Sequence, residues 1–267
     1  QLLTSYRKHI KKSFTNPMLI SILEFPVLFL GAAASETPAL YSLMAYSGIK
    51  EGTFYPIGGF NKVIQAMIKI CKEQGVNFLC DEEVLKINIE NQKVHSITTK
   101  KQKVFKTDIL VASADYAHVE KNLLKKEYRN YSNEYWEKKS FSPSSLIFYL
   151  GINKSLNKLE HHNLFFDEDI DKHTDSIYKE KKWPKKPLFY ACCPSKTDMN
   201  VAPDKKENLF ILIPIAAGID DSREIREKYF KIIIERLEKY CQEEIKKHIK
   251  FKKSYCLKDF KSDYNSY

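Results

Sequence analysis

Phe54 to Asn61 (FYPIGGFN) and, further along, Val111 to Asp115 (VASAD) bracket a single α/β unit, and the reading of these two stretches decides the fold. Pro56-Ile57-Gly58-Gly59 stands at the mouth of a helix. From Phe60 to Gln74 the apolar residues Val63, Ile64, Met67, Ile68, Ile70 and Cys71 recur at helical spacing, and Gly75 is positioned as a C-cap. Paired glycines ahead of a helix let a planar ligand approach the backbone closely, and the helix N-terminus favours negative charge nearby. Taken alone, the same residues make an ordinary turn. Asp115 follows an apolar run, Asp108 to Ala114, and is placed either to cap a helix starting near Ala117 or to meet a cofactor.

Between these stretches the pattern gives a strand at Val76 to Cys80, a second at Val84 to Glu90, a turn at Asn91-Gln92, a return strand at Lys93 to Thr99, a short strand at Lys103 to Lys106 and a buried strand at Asp108 to Ala114. The edge of Val76 to Cys80, with Val84 after it, offers backbone groups that could receive an adenine, although such valines are also ordinary core residues. Downstream, strands are expected at Leu146 to Ile152, Asn163 to Phe166, Leu188 to Cys193, Leu209 to Ile215 and Ile249 to Leu257. A long amphipathic helix is expected over Glu224 to Ile249. Several antiparallel strands under one covering helix make an α+β layer, so the whole reads as α/β followed by α+β.

The amino-terminal residues read as helical. Ser5 to Phe14 is basic, and Pro17 to Ala34 is strongly apolar and close to the length of a short membrane span. Glu24 and Pro26 near its centre argue against spanning, since a charge at mid-bilayer costs about 3 kcal/mol. A buried helix pair broken near Pro26 is the simplest reading, and a surface helix dipping into a bilayer is the alternative.

The chain has 267 residues and a net charge of +10, carried mainly by lysines scattered along its length. Solvated lysine-rich surfaces account for this. An anionic membrane surface is the sharper reading, and nucleic acid is not expected, because no zinc-finger or RNA-recognition signature accompanies the charge. With 16 Tyr and 16 Phe there is ample material for an apolar core or pocket. The six cysteines form no CxxC pair and no disulfide framework, and they fit a reducing compartment. His161 and His162 are adjacent, but no metal-binding spacing surrounds them, so no metal site is assigned. There is no P-loop, no nucleophile elbow around Ser113 and no G-x-G-x-x-G, and no residue stands out as a catalytic acid or base. The chain begins at Gln1 with no signal peptide and reads as the central piece of a longer protein.

Four blocks together resemble the bacterial and fungal phytoene desaturase family of carotenoid biosynthesis. They are Thr37 to Tyr46 leading into Gly52 to Met67; VASADYAHVE from Val111; the strand from Leu146 with His161-His162-Asn163; and Cys193 to Pro203 (CPSKTDMNVAP) followed by LFILIPIAAG. The last, P-S-x-T-D then A-P, is the most specific, and order and spacing agree over nearly the whole chain. The resemblance implies a two-dinucleotide-fold flavoprotein with an antiparallel-sheet substrate domain and a helical cap. It divides the chain into a membrane-proximal helical cap (1–52), the returning part of the FAD-binding domain (53–118) and the substrate-binding domain (119–267). It implies FAD as cofactor, with Gly58 and Gly59 close to the flavin and Val84 near the adenine, and a carotenoid precursor such as phytoene as substrate, drawn from a membrane. The expected location is cytoplasmic, peripheral to the inner membrane face. The family often carries S-N-A-D where this chain has Ala112-Ser113-Ala114-Asp115, which removes an amide at Ser113. The implied activity is FAD-dependent desaturation of a long polyene. A later-acting carotenoid desaturase or a carotenoid isomerase of the same fold is the near alternative, and a non-catalytic lipid-binding or basic interaction module is the alternative of another class.

Overall fold

The computed structural model describes residues 4–28 and 30–266. In chain order the helices are α1 (Tyr6–Lys11), α2 (Pro17–Leu28), α3 (Ser42–Tyr46), α4 (Phe60–Glu73), α5 (Tyr116–His118), α6 (Asn133–Glu137), α7 (Ile170–Tyr178), α8 (Arg223–Cys241) and α9 (Leu257–Tyr264). The strands are β1 (Val84–Glu90), β2 (Lys93–Thr99), β3 (Val104–Lys106), β4 (Ser144–Ile152), β5 (His162–Phe165), β6 (Phe189–Cys192), β7 (Glu207–Ile215) and β8 (Ile249–Tyr255). They form two compact units, Gln1–Gln65 with Phe141–Leu257, and Ala66–Ser140 with Lys258–Tyr267. These limits differ from a division at 52 and 118: Arg7 of α1 reaches Asp171, Phe25 of α2 meets Phe166 edge-on, and the turn before α4 bonds Asp198.

In the first unit five antiparallel strands run in the order β5-β6-β7-β4-β8. β7 alternates without a break: Leu209, Ile211, Ile213 and Ile215 are buried while Asn208, Phe210, Leu212 and Pro214 are half-buried. This two-residue period turns one face of the sheet to α8, whose Phe230, Ile233, Ile234 and Leu237 join Leu146, Phe148, Leu150 and Ile152 of β4 in one apolar core. Ser222 caps α8 through the amide of Ile225. The helix stops at Cys241, short of the expected Ile249, because Gln242 turns left-handed (φ +58°) and Glu238 draws off the amides of Ile245 and Lys246 at 2.7 and 2.8 Å. Pro214 is tolerated within β7 because the β6 pairing ends at Leu212. Its carbonyl instead accepts a hydrogen bond from His173 Nε2 at 2.8 Å. His173 Nδ1 accepts from the Leu188 amide, so both ring nitrogens are assigned and the neutral Nε2–H tautomer is the one that fits. Burial lowers the His173 pKa, in keeping with that neutral form.

Of the apolar run from Pro17 to Ala34, Pro17–Leu28 form one helix, α2, which passes Pro26 and ends two residues later, and 30–34 are non-helical, so there is no second helix of a pair among the described residues of the run. Pro26 costs the bond that an N–H at this position would have made to the Ile22 carbonyl, but only two helical residues follow it, so little of the helix is left to be displaced. Glu24 is buried and held by the Arg7 guanidinium fork at 2.8 and 2.6 Å, and Arg7 also reaches Asp171. The helix therefore has two faces: Val27 packs with Tyr6 and Ile10, while Met18, Leu19 and Ile22 are exposed. No helix among the described residues is long and apolar enough to cross a membrane.

The second unit holds the antiparallel meander β1-β2-β3. Ile87, Val119 and Leu123 form its small core, with Val84 packed against them. Asp115 caps α5 by accepting the His118 amide at 2.9 Å. Residues 76–80 and 108–114 carry strand-like sequence but form no ladder. A strand exists only where a neighbour takes its backbone hydrogen bonds, and these runs have none within the described residues, leaving Phe78, Leu79, Ile109 and Val111 exposed.

Leu237 is fully buried at the centre of the sheet–helix core. Leu237→Ala is expected to lower unfolding stability by about 2–5 kcal/mol, whereas Lys231→Ala on the solvent side of α8 should change it by less than about 0.5 kcal/mol. Urea unfolding of both variants checks this, and equal effects would contradict the assigned packing.

Candidate functional site

The turn before α4 and the segment after β6, read separately in the sequence, meet within the first unit. The Gly58 amide donates to Asp198 Oδ2 at 2.6 Å across 140 positions of sequence. Asp198 Oδ1 accepts the Asn200 amide at 2.9 Å and its side-chain amide at 3.1 Å, and the Tyr55 phenol nearby also favours the ionised carboxylate. Asp198 is 2% exposed. These donors, the Asn200 and Gly58 amides foremost, hold its pKa below the ordinary carboxylate value. Burial, and then the negative Asp198, push the Tyr55 phenol up.

Gly58 and Gly59 take φ of +84° and +81°, in the left-handed region that glycine enters at no steric cost. A Cβ on Gly58 would lie 2.7 Å from Lys62 Cγ, and one on Gly59 would lie 3.5 Å from the Tyr55 hydroxyl. The side chains around the turn are bare: Phe54 is 85% exposed and Ile57 66%. A backbone without side chains, ringed by exposed apolar groups at a helix start, fits a planar aromatic ligand such as a flavin.

Beside the turn stands a wall of rings. Tyr55 meets His161 edge-on with centroids 4.7 Å apart, and His161 stacks on His162 at 4.3 Å. His161 Nδ1 and Thr197 Oγ1 are hydrogen-bonded at 2.6 Å, as are His162 Nδ1 and the Tyr190 hydroxyl. The β5–β6 register produces this, since His162 lies opposite Cys192 and diagonal to Tyr190. Burial, then the neighbouring His162, lowers the His161 pKa. Burial raises the Cys192 thiol and the Tyr190 phenol. Among the described residues, ring nitrogens of His161 and His162 and the Cys192 Sγ lie within 4.8 Å of one another. Zinc takes its donors at roughly 2.0–2.3 Å, so these three would have to draw inward to share an ion. All six cysteines are free thiols.

Behind the wall Glu207, at the start of β7, anchors the turn Pro194–Lys196. It accepts from the Ser195 hydroxyl and the Lys196 ammonium and from the Leu156 amide at 3.2 Å. Its burial pushes the pKa up, but Lys196, Ser195 and the Leu156 amide outweigh that and hold it below the ordinary glutamate value. Residues 194 to 198 thus run from Glu207 on one side to the Gly58 amide on the other.

Gly58 and Gly59 share one turn, as their adjacency requires. Val84 lies in the other unit at the start of β1, opposite Thr99. Asp198, Tyr55 and Tyr190 were not singled out from the sequence, and His161 entered only as half of a histidine pair given no metal site and as part of a resemblance block. The available signal was the P-S-x-T-D block, whose Ser, Thr and Asp all prove to be side-chain anchors.

Residues 4–263 match the model for "Flavin containing amine oxidoreductase", and the chain belongs to that family. It is 35% identical over 271 residues to a carotenoid 3,4-desaturase of Haloarcula japonica, covering 100% of this chain and 54% of that protein. It is 30% identical over 213 residues to a phytoene desaturase of Fusarium fujikuroi, covering 79% of this chain and 37% of that protein. The chain therefore spans about half, or less, of the length of these relatives. Among solved structures, an oxidoreductase from Methanosarcina mazei superposes with a TM-score of 0.64 at 18% identity, over 95% of this chain and 56% of its own. Reduced UDP-galactopyranose mutase does so at 0.56 and 12% identity, over 96% and 56%; both likenesses concern the fold alone.

Because the folded pKa of Glu207 is depressed, its ionised form contributes stability above the ordinary glutamate value of 4.5. That contribution is lost as pH falls through the lower folded value. Glu207→Gln should therefore melt lower than wild type at neutral pH, with the gap narrowing on acidification. Thermal unfolding across pH 7 down to about 3 measures it; a gap that stays constant would contradict the assignment.

Proposed function

We propose that this chain forms the flavin-side turn and the substrate sheet of an FAD-dependent desaturase acting on a long isoprenoid polyene, phytoene foremost. The observation that carries the reading is the single polar assembly joining the Gly58–Gly59 turn to Asp198, in a chain similar along its length to carotenoid desaturases. Bound FAD supplies the two-electron acceptor that desaturation of a CH–CH bond requires. Gly58 and Gly59 are the residues that would receive the flavin, and Val84 the one near its adenine. Tyr55, His161, His162 and Tyr190 offer a wall of rings suited to an apolar, conjugated substrate. The exposed apolar faces of α4, 76–80 and 108–114 fit a larger flavin domain whose other segments would cover them.

A cavity of about 450 Å³ in the amino-terminal helices, lined by Tyr6, Ile10, Phe14, Leu23, Tyr46 and Ile49 among others, suits part of an apolar chain. A second reading, a later-acting 3,4-desaturase, is favoured by the higher identity to the Haloarcula japonica protein. The complete reading frame, expressed in a bacterium that accumulates phytoene, is expected to yield coloured polyenes in the pigment extract. Colourless phytoene unchanged beside folded, flavin-bearing enzyme would move the assignment to a later carotenoid.

The same reading includes docking at the inner face of the cytoplasmic membrane, the source of so insoluble a substrate. Exposed Met18, Leu19 and Ile22 on α2, with Lys8, Lys11 and Lys12 on and just after α1, support it. The protein is expected to float with vesicles containing phosphatidylglycerol more than with neutral ones, and Ile22→Glu should reduce flotation. Equal recovery of variant and wild type with anionic vesicles would refute docking through α2.

A further inference from the structure

The geometry points to Asp198 as a positioning residue for the flavin: its carboxylate holds the Gly58–Gly59 turn in the one conformation that presents bare backbone to the ligand. The inference rests on the proposed placement of flavin at that turn. Its physical basis lies elsewhere, in what keeps the turn in shape.

Two successive residues with φ near +80° form a turn that an unconstrained chain would leave readily, since glycine samples many other conformations. Within the turn, Gly59 N donates to Pro56 O at 2.8 Å, a local bond that leaves the Gly58 amide without a partner of its own in the turn. The Asp198 carboxylate supplies that partner at 2.6 Å. A charged acceptor in a nearly water-free position binds an amide more strongly than a neutral one would. Tyr55, three residues before Gly58, meets His161 edge-on, and its phenol is pushed up by burial and then by the negative Asp198.

Asp198 can do this only because it is itself immobile. Asn200 donates twice to its Oδ1, the adjacent Thr197 hydroxyl is tied to His161, and Ser195 and Lys196 are tied to Glu207. The five-stranded sheet thereby sets the shape of a turn that lies far away in sequence. The carboxylate is also a full negative charge bonded directly to the Gly58 amide. It reduces the positive character that this amide and the start of α4 would offer a ring that gains negative charge on reduction. Asp198 thus influences both how well the flavin fits and the electrical environment in which its ring system rests.

The test uses the full-length enzyme, stripped of flavin and titrated with FAD, comparing wild type with Asp198→Asn, Asp198→Ala and Gly58→Ala. Three quantities are read: the FAD dissociation constant, the shape of the visible flavin band, and the thermal unfolding temperature without flavin. Asp198→Ala is expected to weaken FAD binding by roughly tenfold or more, as loss of a charge-assisted bond implies. Asp198→Asn, which keeps the shape and one acceptor, should bind more tightly than Asp198→Ala yet show an altered visible band, because the charge is gone. Gly58→Ala, strained at φ +84°, should reproduce the loss of affinity by distorting the same turn. If Asp198→Ala does not fold, the Asn variant decides by the same affinity and band readings.

Wild type that takes up no FAD would refute the flavin placement itself. Wild type that binds FAD, with affinity and band unchanged in both Asp198→Asn and Asp198→Ala, would overturn the role given to Asp198. Loss of affinity matched by an equal loss in unfolding temperature, with the flavin band unchanged, would also overturn it, since that is what a residue important only for folding would do. Affinity lost in the Asp198 variants but not in Gly58→Ala would show that the effect does not pass through the turn, and would overturn it as well.

Discussion

The first unit depends on the pairing of β4 with β7, nine residues in register from Ser144 opposite Ile215 to Ile152 opposite Glu207. Both are interior strands of the sheet, and both send alternate side chains into the core beneath α8. A slip of one residue would exchange Leu209, Ile211, Ile213 and Ile215 for Asn208, Phe210, Leu212 and Pro214, so burial specifies the register strongly. Function hangs on the same register. Glu207 stands at the end of the ladder with its carboxylate beneath the 194–196 turn, and from that turn the chain carries Thr197 to His161 and Asp198 to Gly58.

Buried carboxylates are the second recurrent theme, in a chain with an excess of positive charge. Glu24, Glu120, Asp198 and Glu207 are all nearly inaccessible, and each is surrounded by donors. Glu24 has the Arg7 fork, and Glu120 has the Asn130 and Tyr131 amides with the Asn130 side chain. Asp198 and Glu207 rely on backbone amides, hydroxyls, an asparagine side chain and one lysine. Burying a carboxylate is costly unless hydrogen bonds replace its water. In return, each joins segments that are not adjacent in sequence, ten residues apart for Glu120 and 140 for Asp198, with a directional contact that apolar packing cannot provide.

The second unit and α4 show the opposite condition. α4 has no fully buried residue although its apolar residues follow a helical period, and Val111 is 86% exposed. Apolar surface of that extent is normally covered by something. Parallel strands in α/β proteins are buried on both faces and take their partners from remote segments, and among the described residues 108–114 has no such partner. The meander β1-β2-β3 and its local core form regardless, because antiparallel neighbours lie next to one another in sequence.

The periodicity of the sequence by itself determined the meander, the five strands of the second half, the long helix α8 and the glycine turn, and left Asp115 open between a helix cap and a cofactor contact. Each is set by local spacing and side-chain type, which act over a few residues. Only the tertiary structure decided that α8 ends at Gln242, that α2 continues through Pro26 while burying Glu24 against Arg7, and that 76–80 and 108–114 form no ladder here. It also decided the site. The glycines could be read as a turn, and the P-S-x-T-D block as a signature, but nothing local links Gly58 to Asp198 or sets Tyr55 against His161. Those contacts arise from strand register and from the chain folding back across 140 positions. Local sequence carries no trace of such a link, because it fixes only the conformation of its own neighbours.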